Sequence, residues 1–331
     1  MKLQTPYLMF LGDAPDQLAA KTAQGVVDWR PDICIGQLKL ENCKADLGLA
    51  DLSLADAAEK GAKTLIVGVA NRGGIISDAW AQTIIDAIER GFDIASGLHG
   101  RLADTPAIAA AAKKHGCALY DVRHPTESFH VAVGAKRSGK RLLPVGTDCS
   151  VGKMYTALAI EKEMSGRGLK ATFRATGQTG IFIAGQGVSV DAVVADFISG
   201  ATEAIAPAND PDHWDIIEGQ GSLFHASYAG VTMGLIHGAQ PDALVLCHEP
   251  TRTHMRGLPD FPLPDLGLCM EANLMAAKLT NPDARFVGIA INTKGLDETA
   301  ACEMLDDVAA KYGLPTVDPV RSGVAAIVDN L

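Results

Sequence analysis

Aromatic side chains make up only 5% of this 331-residue chain, and no run of apolar residues approaches the length of a membrane span. A span needs about 20 consecutive apolar residues. The segment 1–6, Met-Lys-Leu-Gln-Thr-Pro, also lacks the apolar stretch of an export signal, so neither anchoring nor secretion is expected. Positive charge is in deficit: 29 basic against 39 acidic residues give a formal charge of -10. That balance excludes nucleic acid or an anionic membrane as the main partner and leaves small molecules, which, if anionic, need a local positive site. The seven cysteines (Cys34, Cys43, Cys117, Cys149, Cys247, Cys269, Cys302) are odd in number and form no C-x-x-C pair. A disulfide framework and a zinc knuckle are thereby excluded, and a reducing cytoplasm fits. Internal repeats and low-complexity tracts are missing too.

What fills the chain is Ala, Gly, Val, Ile and Leu, the composition of helices packed closely on a parallel sheet. Short apolar runs ending in Gly or Asp alternate with amphipathic stretches, the rhythm of βαβ units. The pattern predicts strands at 7–11, 33–35, 64–69, 93–95 and 118–121, with helices at 53–60, 77–90 and 105–115. After a turn-rich, basic segment at 124–140, read as a solvated linker, further strands are expected at 141–145, 171–175, 215–217, 243–247, 286–292 and 316–317. Helices are expected at 153–167, 190–199, 224–234, 268–279 and 296–312. The reading is an α/β protein: a small Rossmann-like N-terminal domain, 1–135, followed by a P-loop NTPase-like parallel-sheet domain, 136–331. A dimer or higher homo-oligomer is expected.

The chemistry concentrates at Gly146-Thr147-Asp148-Cys149-Ser150-Val151-Gly152-Lys153. A strand runs into Gly146 and Gly152-Lys153 opens a helix, so backbone N–H groups and a helix N-terminus converge where a phosphate would sit. Glycine lets the backbone approach oxygen atoms, and Lys153 adds positive charge. Five residues separate the two glycines, one more than in the common Walker A pattern. The position that normally carries a Mg²⁺-binding hydroxyl is Met154, and a thioether is a poor ligand for a hard cation. The loop therefore reads as one that grips phosphate without the usual metal.

Two Gly-rich loops, 68–74 and 96–100, lack dinucleotide-fingerprint spacing and are expected either to face a cleft between the domains or to be simple tight turns. Asn292, with Thr293-Lys294, ends a strand where an adenine could be touched.

The loop resembles that of dethiobiotin synthetase and its relatives, and so do Thr176-Gly177-Gln178-Thr179-Gly180 and the strand end Ile216-Ile217-Glu218-Gly219-Gln220-Gly221-Ser222. Over nearly the whole chain, however, the Rossmann-like half joined to Gly-Thr-Asp-Cys-Ser-Val-Gly-Lys-Met resembles a P-loop family long catalogued as of unknown function, which includes D-glutamate N-acetyltransferases. The stretch 191–200, Cys247-His248-Glu249-Pro250 and Asp318-Pro319-Val320-Arg321 belong to the same resemblance. It implies acetyl transfer from acetyl-CoA to the amine of D-glutamate, giving N-acetyl-D-glutamate in amino-acid catabolism. Gly146, Thr147, Cys149, Ser150, Val151, Gly152, Lys153, Met154 and Asn292 would then hold the acetyl donor.

Such a transfer needs a base for the substrate ammonium and cations for the carboxylates. Glu218, at a strand's C-terminal end, is the first candidate base; a carboxylate simply bonded to the P-loop is the other reading. His225 and His248 compete for the role. Asp148 should point away from phosphate, toward Mg²⁺ or substrate. Cys149, near a helix N-terminus, makes an acetyl-cysteine intermediate conceivable. Arg72, Arg101, Arg174 and Arg252, each after a strand end, could line a substrate cleft with Thr176, Gln178 and Thr179; singly, each arginine also fits an ordinary ion pair. The runner-up reading is a Mg-ATP-dependent kinase or ligase, and a third is a nucleotide-binding protein without turnover.

Overall fold

The structure, a computed structural model, describes residues 2–69 and 74–331. The chain divides into two compact units, Met1–Glu127 with Gly177–Ala192, and Ser128–Thr176 with Val193–Leu331. The division falls after Glu127 rather than at the expected 135, and a short later segment belongs with the first unit.

In the first unit, β1 (Tyr7–Gly12), β2 (Cys34–Lys39), β3 (Thr64–Val67), β4 (Asp93–Ser96) and β5 (Leu119–Asp121) form a sheet in the order β2-β1-β3-β4-β5. Every ladder is parallel, as a doubly wound fold requires. Its helices are α1 (Lys21–Trp29), α2 (Leu54–Glu59), α3 (Asp78–Ile88) and α4 (Pro106–His115). β1 is buried along its whole length, which is why it reads as a continuous apolar run rather than an alternation.

The second unit is built on β6 (Lys140–Gly146), β7 (Ala171–Arg174), β8 (Trp214–Ile217), β9 (Ala243–His248), β12 (Arg285–Ile291) and β13 (Thr316–Val317). They form a parallel sheet in the order β13-β12-β9-β6-β8-β7. Between β9 and β12 the chain makes an antiparallel hairpin, β10 (His254–Met255) and β11 (Leu258–Pro262). The helices are α5 (Lys153–Gly166), α7 (Ile198–Ile205), α8 (Ala229–Ala239), α9 (Leu266–Lys278), α10 (Glu298–Tyr312) and α11 (Ala325–Asp329). Leu143, Val145, Leu244, Leu246, Ile289 and Ile291 of the central strands pack with Leu235, Ile236, Ala276, Ala277 and Val308 of the helices into one core. Each buried Leu or Ile contributes about 1.5–3 kcal/mol.

Helix α6 (Gln178–Ala184) follows the second unit's β7 in sequence but belongs to the first unit. Leu3 N donates to Gly185 O at 2.9 Å, and Arg123 pairs with Asp191 at 2.9 Å. The helix expected at 190–199 is instead two single turns, Val190–Ala192 and Ala195–Phe197, before α7 begins at Ile198. Ser189 Oγ donates to Asp191 there at 2.7 Å, a local bond that competes with helix formation. The helix expected at 224–234 starts later, at Ala229, because Ser222 and His225 bind nearby backbone N–H groups and hold the preceding segment in turns.

The basic segment before β6 is not a uniformly solvated linker. Arg137 donates to Glu203 O and Ala206 O at 3.1 and 2.6 Å, and to Gly238 O and Ala239 O at 2.5 and 3.2 Å. One guanidinium thus caps the C-terminal carbonyls of α7 and α8 together, where a cation is favoured. Arg141 is 1% exposed and pairs with Asp242 at 3.6 Å. Lys136 and Lys140 are exposed, as a linker predicts.

Candidate active site

The P-loop emerges from the middle of the second sheet. β6 lies between β9 and β8, and its ladder to β8 ends at Leu142↔Ile216, whereas its ladder to β9 runs on to Gly146↔Cys247. Pro144, which has no N–H to give, follows the last β8 pair. The loop therefore rises at the C-terminal edge of the sheet, where ligands of open α/β sheets bind, with Glu218 beyond β8 and His248 at the end of β9.

Thr147 N donates to Cys247 O at 3.1 Å, and Thr147 Oγ1 shares a hydrogen bond of 3.0 Å with His248 Nδ1. Gly152, at φ +105°, takes a conformation that side chains rarely adopt, and Ser150 follows the left-handed region at φ +55°. Helix α5 has no side-chain N-cap and no acid in its first turn. The N–H groups of Ser150, Val151, Gly152, Lys153 and Met154 meet no protein acceptor among the described residues. Lys153 is 6% exposed; its amine donates to Asp148 O at 2.7 Å, and burial pushes its pKa down. The result is a concave set of donors with a cation beneath it, matched to an anion.

Asp148 is fully buried and turned out of this cradle. Its Oδ2 accepts from Arg252 Nη1 at 2.6 Å and from Arg256 N at 2.8 Å, and its Oδ1 accepts from Cys149 N at 2.6 Å. Arg252 also donates to Cys149 O and Ser150 O, at 2.7 and 3.0 Å, and pairs with Glu249 at 3.2 Å. Arg252, expected on a substrate carboxylate, is committed instead to holding the loop's shape.

His225 is 2% exposed; its Nδ1 accepts from Ser227 N at 3.2 Å, which leaves the proton on Nε2 to donate to Arg256 O at 3.1 Å. Both ring nitrogens are engaged, so His225 acts on the β10–β11 turn and is poorly placed to accept a substrate proton. Asp148, Cys149 and His225 bring one ligand atom each within 4.8 Å of one another. Arg252 already neutralises Asp148 and His225 Nε2 carries its proton, so this group does not fit a cation. Cys149 departs from its expectation: burial, the largest influence, raises its pKa, and the nearby cations do not reverse the shift. A thiol held protonated is a poor nucleophile.

A family described as a domain of unknown function, DUF1611, P-loop domain, matches residues 130–328, and its Rossmann-like N-terminal domain matches residues 38–125. The chain belongs to the DUF1611 family. A protein of Tritonibacter scottomollicae named D-glutamate N-acetyltransferase is 58% identical over 329 residues, covering 99% of each chain. Another so named, from a Pseudoalteromonas species, is 50% identical over 331 residues, covering 100% of both. The crystal structure of a DUF1611 family protein from Anabaena variabilis matches with a TM-score of 0.87 at 32% identity, covering 99% of each chain.

Within this DUF1611 chain the remaining expected residues are dispersed. Glu218 is buried at 4% exposure; its Oε2 accepts from Thr176 N at 2.9 Å, and its backbone O accepts from Thr176 Oγ1 at 2.6 Å. Arg174 is paired with buried Asp215 at 2.7 Å. Asn292 lies beside His248 on the sheet edge, its N donating to His248 O at 2.8 Å. Gln178 and Thr179 belong to α6 in the first unit, where the Gln178 amide, turned so that its nitrogen faces Gly97 O, donates to it at 2.5 Å and accepts from Arg123 at 3.2 Å. Arg101, also in the first unit, is exposed before a single turn at Leu102–Asp104. Arg72 and part of the 68–74 loop lie outside the described residues. Sequence reasoning missed Arg256 altogether. Its signal, a basic residue before Gly257 in a Met-Arg-Gly-Leu turn, becomes readable only once the hairpin is seen against the loop.

Proposed function

We propose that this chain is a D-glutamate N-acetyltransferase that takes its acetyl group from acetyl-CoA in the cytoplasm, with the donor's phosphates on the P-loop. The observation that carries this reading is the full-length identity of 58% and 50% to proteins of that name. The loop's chemistry supports the donor: unpaired N–H groups and Lys153 suit phosphate, while Met154 offers no metal-binding hydroxyl. Asp148, which a Mg-ATP kinase or ligase would use on its metal, is neutralised by Arg252.

In the transfer, the substrate ammonium gives one proton to a base, the amine nitrogen attacks the thioester carbonyl, a C–N bond forms and the C–S bond breaks, and the departing thiolate takes up the second nitrogen proton to leave as free thiol. His248 suits that task. Burial, the largest influence, lowers its pKa, so the ring is neutral at pH 7; it is half-buried at the sheet edge, and Thr147 orients its Nδ1 side. With Cys149 held as thiol, direct transfer from thioester to amine is favoured over an acetyl-enzyme.

The decisive assay is release of free thiol from acetyl-CoA by purified protein with D-glutamate, in EDTA, with L-glutamate as control. Release that needs D-glutamate and survives chelation is expected. No release with either acid, beside Mg²⁺-dependent loss of ATP, would overturn the reading.

A further inference from the structure

The β10–β11 hairpin brings a second arginine to the loop. Met255 pairs with Leu258, so Arg256 and Gly257 form a tight turn, and Gly257 at φ +79° supplies the backbone conformation such a turn demands. A turn residue is ordinarily among the least constrained in a chain. Arg256 is held on both sides: its N–H is bound by buried Asp148 at 2.8 Å and its C=O by buried His225 at 3.1 Å. Its side chain is treated differently. Arg252 makes two ion pairs, but Arg256 makes none among the described residues; its guanidinium donates to the hydroxyl of Ser150, inside the P-loop, and is otherwise exposed. An arginine without a carboxylate, mounted on a fixed backbone and lying against a phosphate loop, carries unused charge and unused donors.

We propose that Arg256 is a ligand-binding residue, a second cation that closes on a phosphate of the acetyl donor held by the P-loop. The proposal rests on the acetyl-CoA reading above. It also accounts for the two buried groups that sequence suggested were catalytic: Asp148 and His225 are positioning residues, which fix the turn so that the Arg256 guanidinium can move from Ser150 to the ligand without the backbone moving. The donor is thus recognised by its anionic part, and its acyl end plays no role in this contact.

The test compares Arg256→Ala and Arg256→Lys with the unaltered protein on three donors: acetyl-CoA, acetyl-dephospho-CoA and phosphate-free acetyl-pantetheine. Arg256→Ala should raise KM for acetyl-CoA about 10- to 100-fold, the scale of a charge-assisted contact, and leave kcat/KM for acetyl-pantetheine unchanged. Arg256→Lys should recover part of the loss. Retention of the defect with acetyl-dephospho-CoA assigns the contact to the pyrophosphate, and its disappearance assigns it to the ribose phosphate; either supports the proposal. An equal loss on all three donors, or no loss on any, overturns it. Calorimetric titration with inorganic pyrophosphate and with adenosine 3′,5′-diphosphate separates this from failure of the acetyl-CoA reading. Weaker binding of either anion to Arg256→Ala supports the second cation even without turnover, and unchanged binding of both removes it.

Discussion

Two corners of the same sheet edge treat their backbone donors in opposite ways. After β12, the N–H and hydroxyl of Thr293 both bind Asp318 Oδ2, at 2.9 and 2.5 Å, while the N–H groups of Val320 and Arg321 bind its Oδ1 at 2.8 and 3.1 Å. The helix that follows, α10, is capped by Asp297, whose side chain accepts from Ala300 N at 2.9 Å. That corner is closed by its own carboxylates. After β6, the loop's carboxylate Asp148 is turned outward to Arg252, and α5 starts at a glycine with no cap. Capping is the ordinary way to satisfy a helix start, and its absence from one corner leaves donors for something other than protein. With the acetyl donor on the P-loop as proposed, a stability role and a binding role would be separated along one edge.

The largest effect is expected from Lys153→Ala. It should lower kcat/KM for acetyl-CoA by about 10²–10³-fold, while the urea midpoint stays the same or rises, since a buried amine has been removed. His248→Gln should cost about 10²-fold in kcat and remove the acid limb of the pH–rate profile. The sign follows from the lowered pKa: protonation silences the base, so in the unaltered enzyme that limb lies below the usual histidine value of about 6.5. At the closed corner the pattern should invert. Asp318→Ala strands the buried donors it satisfied and should cost about 2 kcal/mol of stability in urea unfolding, with KM for acetyl-CoA unchanged. For Asp318 burial raises the pKa, but hydrogen bonds from Thr293, Val320 and Arg321 outweigh it and the net shift is downward. Its contribution is therefore present above the ordinary carboxylate pKa and is lost as pH falls through the lower folded value, a loss that Asp318→Asn should abolish. The smallest effect is expected from Met154→Thr. Restoring the hydroxyl should not produce Mg²⁺-dependent ATP hydrolysis, because Arg252 still neutralises Asp148; phosphate release on adding Mg-ATP would contradict this.

The parallel sheets were legible because burial on both faces writes strands as apolar runs such as Tyr-Leu-Met-Phe-Leu in β1. The P-loop was legible because its glycines and lysine do their work within a few residues of one another. Helix α1 was not expected: Gly25 interrupts its pattern, and its place is set by contact, with Ala23 N donating to Gly68 O at 3.1 Å. Helix α6 was not expected either: Thr176, Gln178 and Thr179 were singled out for substrate contact, whereas bonds of Gln178 with Gly97 and Arg123, and of Gly185 at the helix end with Leu3, hold the segment in place. The role of Arg137 was hidden for a related reason. The carbonyls it binds come from residues 203–206 and 238–239, far along the chain, and a basic cluster looks the same whether its charges meet water or helix ends. Arg252 and Asp148 were each singled out, but as substrate clamp and metal or substrate ligand; that they meet each other is a fact of the fold and not of spacing.

The place of α6 has a genetic consequence. The path passes from one compact unit to the other at Glu127/Ser128, at Thr176/Gly177 and at Ala192/Val193. A single cut in the gene, wherever it falls, cannot deliver both units whole, because a fragment holding the P-loop unit entire also carries α6 away from the unit it packs in. The two halves are therefore bound to be inherited as a pair: a fusion or shuffling event that exchanges one Rossmann-like partner for another must also replace the short segment lodged inside its neighbour's reading frame.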